Sequence, residues 1–241
     1  MKVELHCHTK YSGDSLQLFT LLYLKCLVCN IRYVAVTDHN CLAGAEQFSS
    51  FCRRHGNRVH VIKGEEIFTA EGEIIGLFLE REIQAGLSAQ ETINQIRKQN
   101  GIVYVPHPYD KKRWKTVLRE TALAANCDLI DCIECHNGRN IDLSYSEKQN
   151  AIADKYNLVK VIGSDAHTTI EIGRNIIELP DCVLTNENFI DVMKKAIFIK
   201  KPCIKIAHTI TKVNRVLKMI WKGDFSGIYR IIFKRNRQQV S

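Results

Sequence analysis

The opening stretch "MKVELHCHTKYSGD" sets His6 and His8 two residues apart and Asp14 six residues further on. In a strand alternate side chains share a face, so both imidazoles point one way while Val3, Leu5 and Cys7 point the other. Two converging imidazoles are either satisfied by neighbours in a core or hold a metal ion, and a lone His-x-His does not choose between these. The rest of the chain bears on the choice. "AVTDHN" carries Asp38 and His39, "GEEI" carries Glu65 and Glu66, and "VPHP" carries His107. "ECHN" adds Glu134 and His136, and "GSDAH" adds Asp165 and His167. Each group ends a short β-branched run. Six of the nine histidines fall at such ends, whereas His55, His60 and His208 do not. A core histidine has no cause to prefer strand ends, but parallel α/β folds gather their active residues there. The distribution predicts a metal cluster.

Asp165-x-His167 repeats the spacing that puts two side chains on one face. Asp38 and His39 are adjacent and diverge, so His39 is the predicted ligand. Asp38 then either orients a ring or loop from behind the ligands or serves as a turn or helix-capping residue. Mixed nitrogen and oxygen donors suit Zn, Mn or Fe rather than Ca or Mg. About eight or nine such side chains are too many for one ion and predict two or three divalent ions, about 3.5–4 Å apart, sharing a water. Such clusters bring the pKa of bound water to about 7 and neutralise charge on the attacked group. Phosphate esters are a natural target, because their uncatalysed hydrolysis is among the slowest known and their anionic oxygens bind cations directly. The expected reaction is attack by a metal-bridging water or hydroxide.

"HCHTKYSGD", "AVTDHN", "GEEI", "HP" and "GSDAH", in this order and spacing, resemble the PHP (polymerase and histidinol phosphatase) family of metal-dependent phosphoesterases over about residues 1–180. The resemblance implies an α/β fold, a distorted (β/α)7 barrel with metals at its strand ends. It implies His6, His8, Asp14, His39, Glu66, His107, Asp165 and His167 as metal ligands. Glu66 fits the family's Gly-x-Glu spacing from Gly64, which turns Glu65 away. Family members often carry a histidine where this chain has Glu73. Glu73 is expected as a ninth ligand, with an exposed hairpin carboxylate as the alternative. "ECHNGR" is similar to the family's Ile-Glu-x-x-Asn segment, making Glu134 and Asn137 substrate or supporting residues. Arg139 either holds a phosphate through its planar fork or is a solvated loop charge. His107 or His167, if not fully ligated, would protonate the leaving group. His136 matches no family ligand.

These residues need a scaffold, and the pattern supplies one. Short β-branched runs alternate with helical periodicity over residues 15–30, 43–55, 88–100, 113–126 and 144–157, which argues for a parallel sheet with covering helices. The run "EIIGLFL" follows "RVHVIKGEEI" across "FTAEG", too short for a helix, so this pair is predicted to be a hairpin. With 241 residues, 45% of them apolar, the chain has material for a large core. Ten cysteines include two CxxC pairs, Cys26/Cys29 in a helical pattern and Cys132/Cys135 in a strand pattern. They read as small apolar core residues rather than disulfides or a structural zinc site. No run of eighteen apolar residues and no signal-peptide core is present, which predicts a cytoplasmic protein.

The charge is uneven. Residues 200–241 hold eleven Lys and Arg against one acid, Asp224, a net of +10, which leaves −2 for residues 1–199. The expected organisation is a barrel over 1–199 and a basic helical extension over 200–241. Ile206, Ile210, Val213, Leu217 and Ile220 recur at helical spacing there. The expected arrangement is a helix packed on the barrel's side with its basic face in water. Alternatives are peripheral attachment to an anionic membrane, with Trp221 and "IYRIIFKR" as anchors, or nucleic-acid binding. The last lacks aromatic interleaving. Lys111, Lys112 and Arg113, after "HPYD", either draw anionic substrates to the mouth or form a solvated loop. The substrate expected is a phosphorylated small molecule or a nucleotide. Two rivals stand beside this reading. An amidohydrolase-like barrel would need a bridging lysine, and only Lys63 lies near a strand end. A non-catalytic metal-binding regulator would need no substrate at all.

Overall fold

The computed structural model describes residues 1–234 other than 111, 112, 114 and 143. Its strands are β1 (Lys2–Cys7), β2 (Ile31–His39), β3 (His60–Thr69), β4 (Gly72–Leu77), β5 (Ile102–Val105), β6 (Cys132–Asn137), β7 (Val159–Gly163), β8 (Ile176–Glu178) and β9 (Ile197–Ile199). They form one sheet in the order β7-β6-β5-β4-β3-β2-β1-β8-β9. Pairing is parallel from β1 to β3 and from β5 to β7. Only β4 of the first seven runs against its neighbours, as the short "FTAEG" connection requires. The sheet curls until Cys7 bridges Ala166 beyond β7, with His8 N–H donating to the Ala166 carbonyl at 2.9 Å. The result is an α/β barrel that is nearly closed.

Helices α1 (Phe19–Val28), α2 (Ala43–Arg54), α3 (Ala89–Arg97), α4 (Glu120–Asn126), α5 (Ser144–Lys155) and α6 (Phe189–Met193) accompany the strands; α7 (Lys205–Trp221) and α8 (Phe225–Lys234) follow the last strand. Strand β2 shows why the layers form. Its Val34 and Val36 join Leu22 and Cys26 of α1 and Phe48 and Cys52 of α2, while Tyr33 and Ala35 join Leu5, Ile62, Tyr104 and Phe189 on the other face. A strand buried on both faces reads as a continuous apolar run, as this one does. Ser88 and Glu91 close a capping box at the start of α3, each side chain satisfying the other's backbone N–H at 3.1–3.2 Å. Gly72 sits in the hairpin at φ +133°, where a side chain would meet the backbone of Val117 and Leu118.

All ten cysteines are free thiols. Cys26 lies in the apolar cluster under the helices and Cys132 and Cys135 in the other, so the two CxxC pairs do not build one site. Among the described residues no helix is long and apolar enough to cross a membrane.

Three expectations change. The helical pattern over 113–126 yields a helix only from Glu120, and Arg113 turns inward instead. Strand β3 does not end at Glu66 but runs on to Thr69, because β4 pairs with its last turns of chain. And α7 does not lie on the barrel's side with its apolar stripe buried. Lys218 Nζ donates to the carbonyls of Lys10, at 2.5 Å, and of Ser12, in the loop after β1. Arg139 reaches Thr211 Oγ1 at 3.0 Å. Those polar partners pull the helix across the strand ends with Ala207 and Asn214 inward. Lys111, Lys112 and, of the distal "IYRIIFKR", Arg235 lie outside the described residues.

Candidate metal centre

The strand ends bring the predicted ligands to one place. His6 lies within β1 and His8 just beyond it; His39 ends β2 directly opposite Glu66 in the β2–β3 register. The β3–β4 hairpin pairs Glu73 with Phe68, two residues past Glu66. His107 follows β5, and Asp165 and His167 follow β7. The Nε2 atoms of His6 and His8 are 3.2 Å apart. His8 Nε2 stands 3.4 Å from Glu66 Oε2 and 3.3 Å from Asp165 Oδ1. His39 Nδ1 is 2.9 Å and His107 Nε2 is 3.1 Å from Glu66 oxygens. His107 Nε2 is also 3.4 Å from Glu73, and His167 Nε2 is 3.3 Å from Asp14. All nine side chains named from the sequence as metal ligands converge.

Three overlapping sets offer ligand atoms within 4.8 Å of one another: His8, His39 and His167; His6, His8 and Glu66; His39, Glu66 and Glu73. Within this cluster Asp14 Oδ1, Glu66 Oε2 and Asp165 Oδ1 are buried without a hydrogen-bond partner. Leaving carboxylate oxygens unsatisfied is costly unless a cation takes them. The donor set and these oxygens fit a divalent metal, and sharing of His8, His39 and Glu66 between sets fits more than one.

Electrostatics divides the rings: burial works against the charged forms of His6 and His39, but Glu66, with Asp165 beside His6 and Asp14 beside His39, outweighs it and holds both well above the ordinary value, so that a bound cation would displace their protons. Burial, with His167 and His39 beside it, holds the His8 imidazole well below its ordinary value and therefore neutral. Burial alone would push the carboxylates up, but charged neighbours win. Arg113 and His6 hold Asp165 well below the usual range. His6 and His39 do so for Glu66, and His167 and His39 for Asp14. Burial works against the charged form of His107, yet Glu66 and Glu73 outweigh it and push the ring up to about 9.

A second layer of residues orients the first. Asp38 accepts from Thr9 N–H and Oγ1, both at 2.6 Å, and from Ser12 Oγ at 2.8 Å, and Ser12 Oγ meets His8 Nδ1 at 3.0 Å. Asp38 thus steers His8 through Ser12. Glu134 Oε1 lies 3.1 Å from His6 Nδ1 and accepts from Tyr104 O–H at 2.6 Å; its Oε2 accepts from His107 N–H at 2.7 Å. A hydrogen bond at the rear nitrogen sets which imidazole nitrogen faces forward. Gly163 is required here, since a side chain would stand 2.3 Å from Glu134 Oε1 and 2.5 Å from His6 Cβ. His107 at φ +31° and Asp165 at φ +52° occupy backbone conformations that non-glycine residues seldom adopt, a strain that concentrates at functional sites.

Of the residues expected to touch substrate or to support the site, Glu134 and Asn137 take the supporting place and Arg139 is engaged elsewhere. Glu134 sits behind His6. Asn137 donates to Glu134 at 2.8 Å and to Asp165 at 3.3 Å, positioning both. Arg139 is buried, 3.6 Å from Glu171 and bonded to α7, so its fork is already engaged. His136 meets Ser146 and Asn175 and points out of the cluster. The arginine at the site is Arg113, 2.6 Å from Asp165 Oδ2. Ser12 and Tyr104 were not singled out from the sequence; Ser12 stood four residues past His8, but nothing marked Tyr104 within the apolar "IVYV".

A cavity of about 690 Å³ opens beside the cluster. Asp14, His39 and Glu73 line one side, and Arg215, Lys218 and Lys222 of the C-terminal segment line another.

Fold and site together define an α/β barrel that gathers a cluster of imidazoles and carboxylates, with the make-up of a metal centre, at its strand ends. Residues 4–175 match the PHP domain, and the chain belongs to that family. It is 33% identical over 231 residues to an uncharacterized protein of Methanocaldococcus jannaschii, covering 92% of this chain and 87% of that one. Among solved structures it resembles a two-domain protein of Bacteroides vulgatus described as containing a predicted PHP-like metal-dependent phosphoesterase. That TM-score is 0.66 at 18% identity, over 83% of this chain, and the chain spans only 64% of that protein's length. It also resembles an amidohydrolase of Chromobacterium violaceum crystallised with sulfate and no metal, at a TM-score of 0.58 and 14% identity, over 81% of this chain and 97% of that one. At these identities the two likenesses concern the fold.

Proposed function

We propose that the protein is a metal-dependent phosphoesterase acting on a phosphorylated small molecule or nucleotide. The observation that carries this reading is the convergence of buried oxygens of Asp14, Glu66 and Asp165, which accept no hydrogen bond, on four imidazoles beside an open cavity. His6, His8, Asp14, His39, Glu66, Glu73, Asp165 and His167, with His107 adjoining, would hold two or three ions of the Mn, Zn or Fe type. When bound, these ions supply an activated water and neutralise charge on the attacked phosphate.

The chain's own residues do the rest. Arg113, held by Asp165 and Asp110, sets a fixed positive charge at the cluster's edge, suited to attract a phosphate oxygen. Proton return to the leaving oxygen falls to His107 or His167, and His107 enters none of the three ligand sets. Arg215 and Lys222 raise the local concentration of anionic substrates at the mouth. The barrel over 1–199 would carry the chemistry, and Arg215, Lys218 and Lys222 of the extension complete one wall of the cavity. The amidohydrolase reading loses ground on geometry: Lys63 pairs with Val36, three residues below the level where His39 meets Glu66, or about 10 Å along the strand.

The test is elemental analysis of chain purified without chelator, followed by a hydrolysis screen of phosphomonoesters, nucleotides and short oligonucleotides against cyclic amides. Release of inorganic phosphate that is lost in His8→Ala and Asp165→Ala supports the proposal. Turnover of amides alone would replace it, and a metal-replete chain inactive on every ester would favour a regulatory role.

A further inference from the structure

Helix α7 presents its faces the opposite way from an ordinary packed amphipathic helix. The side it turns to the barrel is largely polar: Asn214 is 8% exposed, Thr211 meets Arg139, and Lys218 is bonded to the loop after β1. Its apolar stripe faces out, with Ile206 62%, Val213 51%, Leu217 49% and Ile220 50% exposed. Trp221 at 86% and Phe225 at 69% extend the stripe to the start of α8. Rolling the helix to bury this stripe would break the bonds of Lys218 and Thr211, so the arrangement is held in place. At 100° per residue Thr209 and Val216 flank the stripe on the side away from the barrel, and Lys205 and Lys212 follow them, both exposed.

There is a second exposed apolar stripe. Helix α1 exposes Leu18, Leu21, Leu24 and Val28, at 52, 49, 51 and 77%, at helical spacing. Lys218 ties the C-terminal part of α7 to Lys10 and Ser12, which precede α1. Cys29, at the far end of α1, packs against Gly173, and Arg174 next to it donates to the Pro202 carbonyl, just before α7. The two helices are therefore linked near both ends.

We propose that the outer face of α7 seats this protein on an anionic lipid surface. The occupant is chosen by charge. Residues 200–241 carry a net of +10, so a second copy would bring like charge against like, whereas anionic headgroups attract it. The stripe is aliphatic along α7, with exposed rings only at its end rather than interleaved with the basic residues, which disfavours nucleic acid. An apolar face with lysines on its flank and a tryptophan at its end is the composition that lies in the plane of a membrane interface. The polar face would keep its place over the cavity, so attachment would leave the metal site's ligands untouched.

The experiment uses the full chain and vesicles of phosphatidylcholine with or without phosphatidylglycerol. The chain is expected to sediment with the anionic vesicles, to leave neutral ones in solution, and to be released by high salt. In Trp114→Phe, where Trp221 is the remaining tryptophan, emission should shift to shorter wavelength as anionic vesicles are added. Leu217→Gln combined with Ile220→Gln should lower the bound fraction at least tenfold with metal content and circular dichroism unchanged. Trp221→Ala, at a site too exposed to disturb folding, should lower it as well. Absence of sedimentation, or equal binding to neutral vesicles, would overturn the proposal. So would a dimer dispersed by Leu217→Gln, or retention of an oligonucleotide, in a chain that ignores vesicles.

Discussion

Arg113 sets a guanidinium nitrogen 2.6 Å from Asp165 Oδ2, on a carboxylate that also faces His8 and His6. Its Nε is 3.4 Å from Asp110. Burial works against the cation, but Asp165, Asp110, Glu66 and Glu73 together hold the Arg113 guanidinium firmly protonated. A fixed positive charge that touches a ligand and borders the cluster is placed to take phosphate oxygens. Arg113→Ala should lower kcat/KM on a phosphomonoester by about 10- to 100-fold, the worth of one hydrogen bond to a charged group. Metal content should stay at the wild-type level. Arg113→Lys should restore little, because an ammonium lacks the planar fork. Unaltered turnover in Arg113→Ala would reduce the contact to a structural ion pair.

Glu73 is not the exposed hairpin carboxylate it might have been. It is 7% exposed, 3.4 Å from His107 Nε2 and 3.9 Å from His39 Nδ1, and belongs to one of the three ligand sets. Glu73→Gln keeps shape but removes the charge. It should bind about one metal ion fewer than wild type, or bind it more weakly by about tenfold or more, and Glu73→His should retain the ion. Inductively coupled plasma analysis of the three proteins decides this, and equal metal content in Glu73→Gln would exclude Glu73 as a ligand.

How far the site was legible follows from what period-two and strand-end reasoning can carry. His6 and His8 share a face by alternation, and His39 meets Glu66 because two parallel strands end in register. Spacing along the chain was enough for both. The fate of Arg113 and Arg139 depended on where loops turn after the strands, and that of Glu134, within β6, on how the sheet curls to bring it behind His6; no periodicity encodes either. Arg139 was engaged by Thr211, seventy-two residues away, and Glu134 by His6, at a separation of 128. For α7 the apolar period was read correctly but the wrong face was expected inward. The bonds of Lys218 to the loop after β1 override the stripe, and a single sequence shows no sign of them.

The ligand cluster also makes a prediction about heat. A metal held only by the folded chain stabilises it by RT ln(1 + [L]/Kd), about 2.7 kcal/mol at a hundredfold excess over Kd. For a domain of this size that corresponds to about 5–10 °C in Tm. Chelator-treated wild type should regain this on addition of Mn or Zn. His8→Ala and Glu66→Gln should not, since His8 serves two ligand sets and Glu66 serves two. Differential scanning fluorimetry with and without metal reads the difference, and a full shift in both variants would move the binding site elsewhere.

Adjacent glutamates on β3 behave in opposite ways, and this gives a pH dependence. Glu66 turns to the histidines and stays ionised. Glu65 turns away, accepting Ile83 N–H at 2.9 Å with its other oxygen buried and unpartnered. Burial, with the charge of Glu82 nearby, pushes the Glu65 carboxyl up from 4.5 to about 8. Between these values the folded chain keeps a proton that the unfolded chain has released. Protons bound by the folded state then exceed those of the unfolded state, so stability falls as pH rises. The contribution is whole below about 4.5, declines across the window and is gone above about 8. Glu65→Gln, which cannot ionise, should remove that slope, at most about 1.4 kcal/mol per pH unit. Urea midpoints of wild type and Glu65→Gln, taken side by side on chelator-treated protein from about pH 5 to about pH 8, should diverge steadily, with the variant gaining. Parallel curves would mean that Glu65 is ionised in the folded chain.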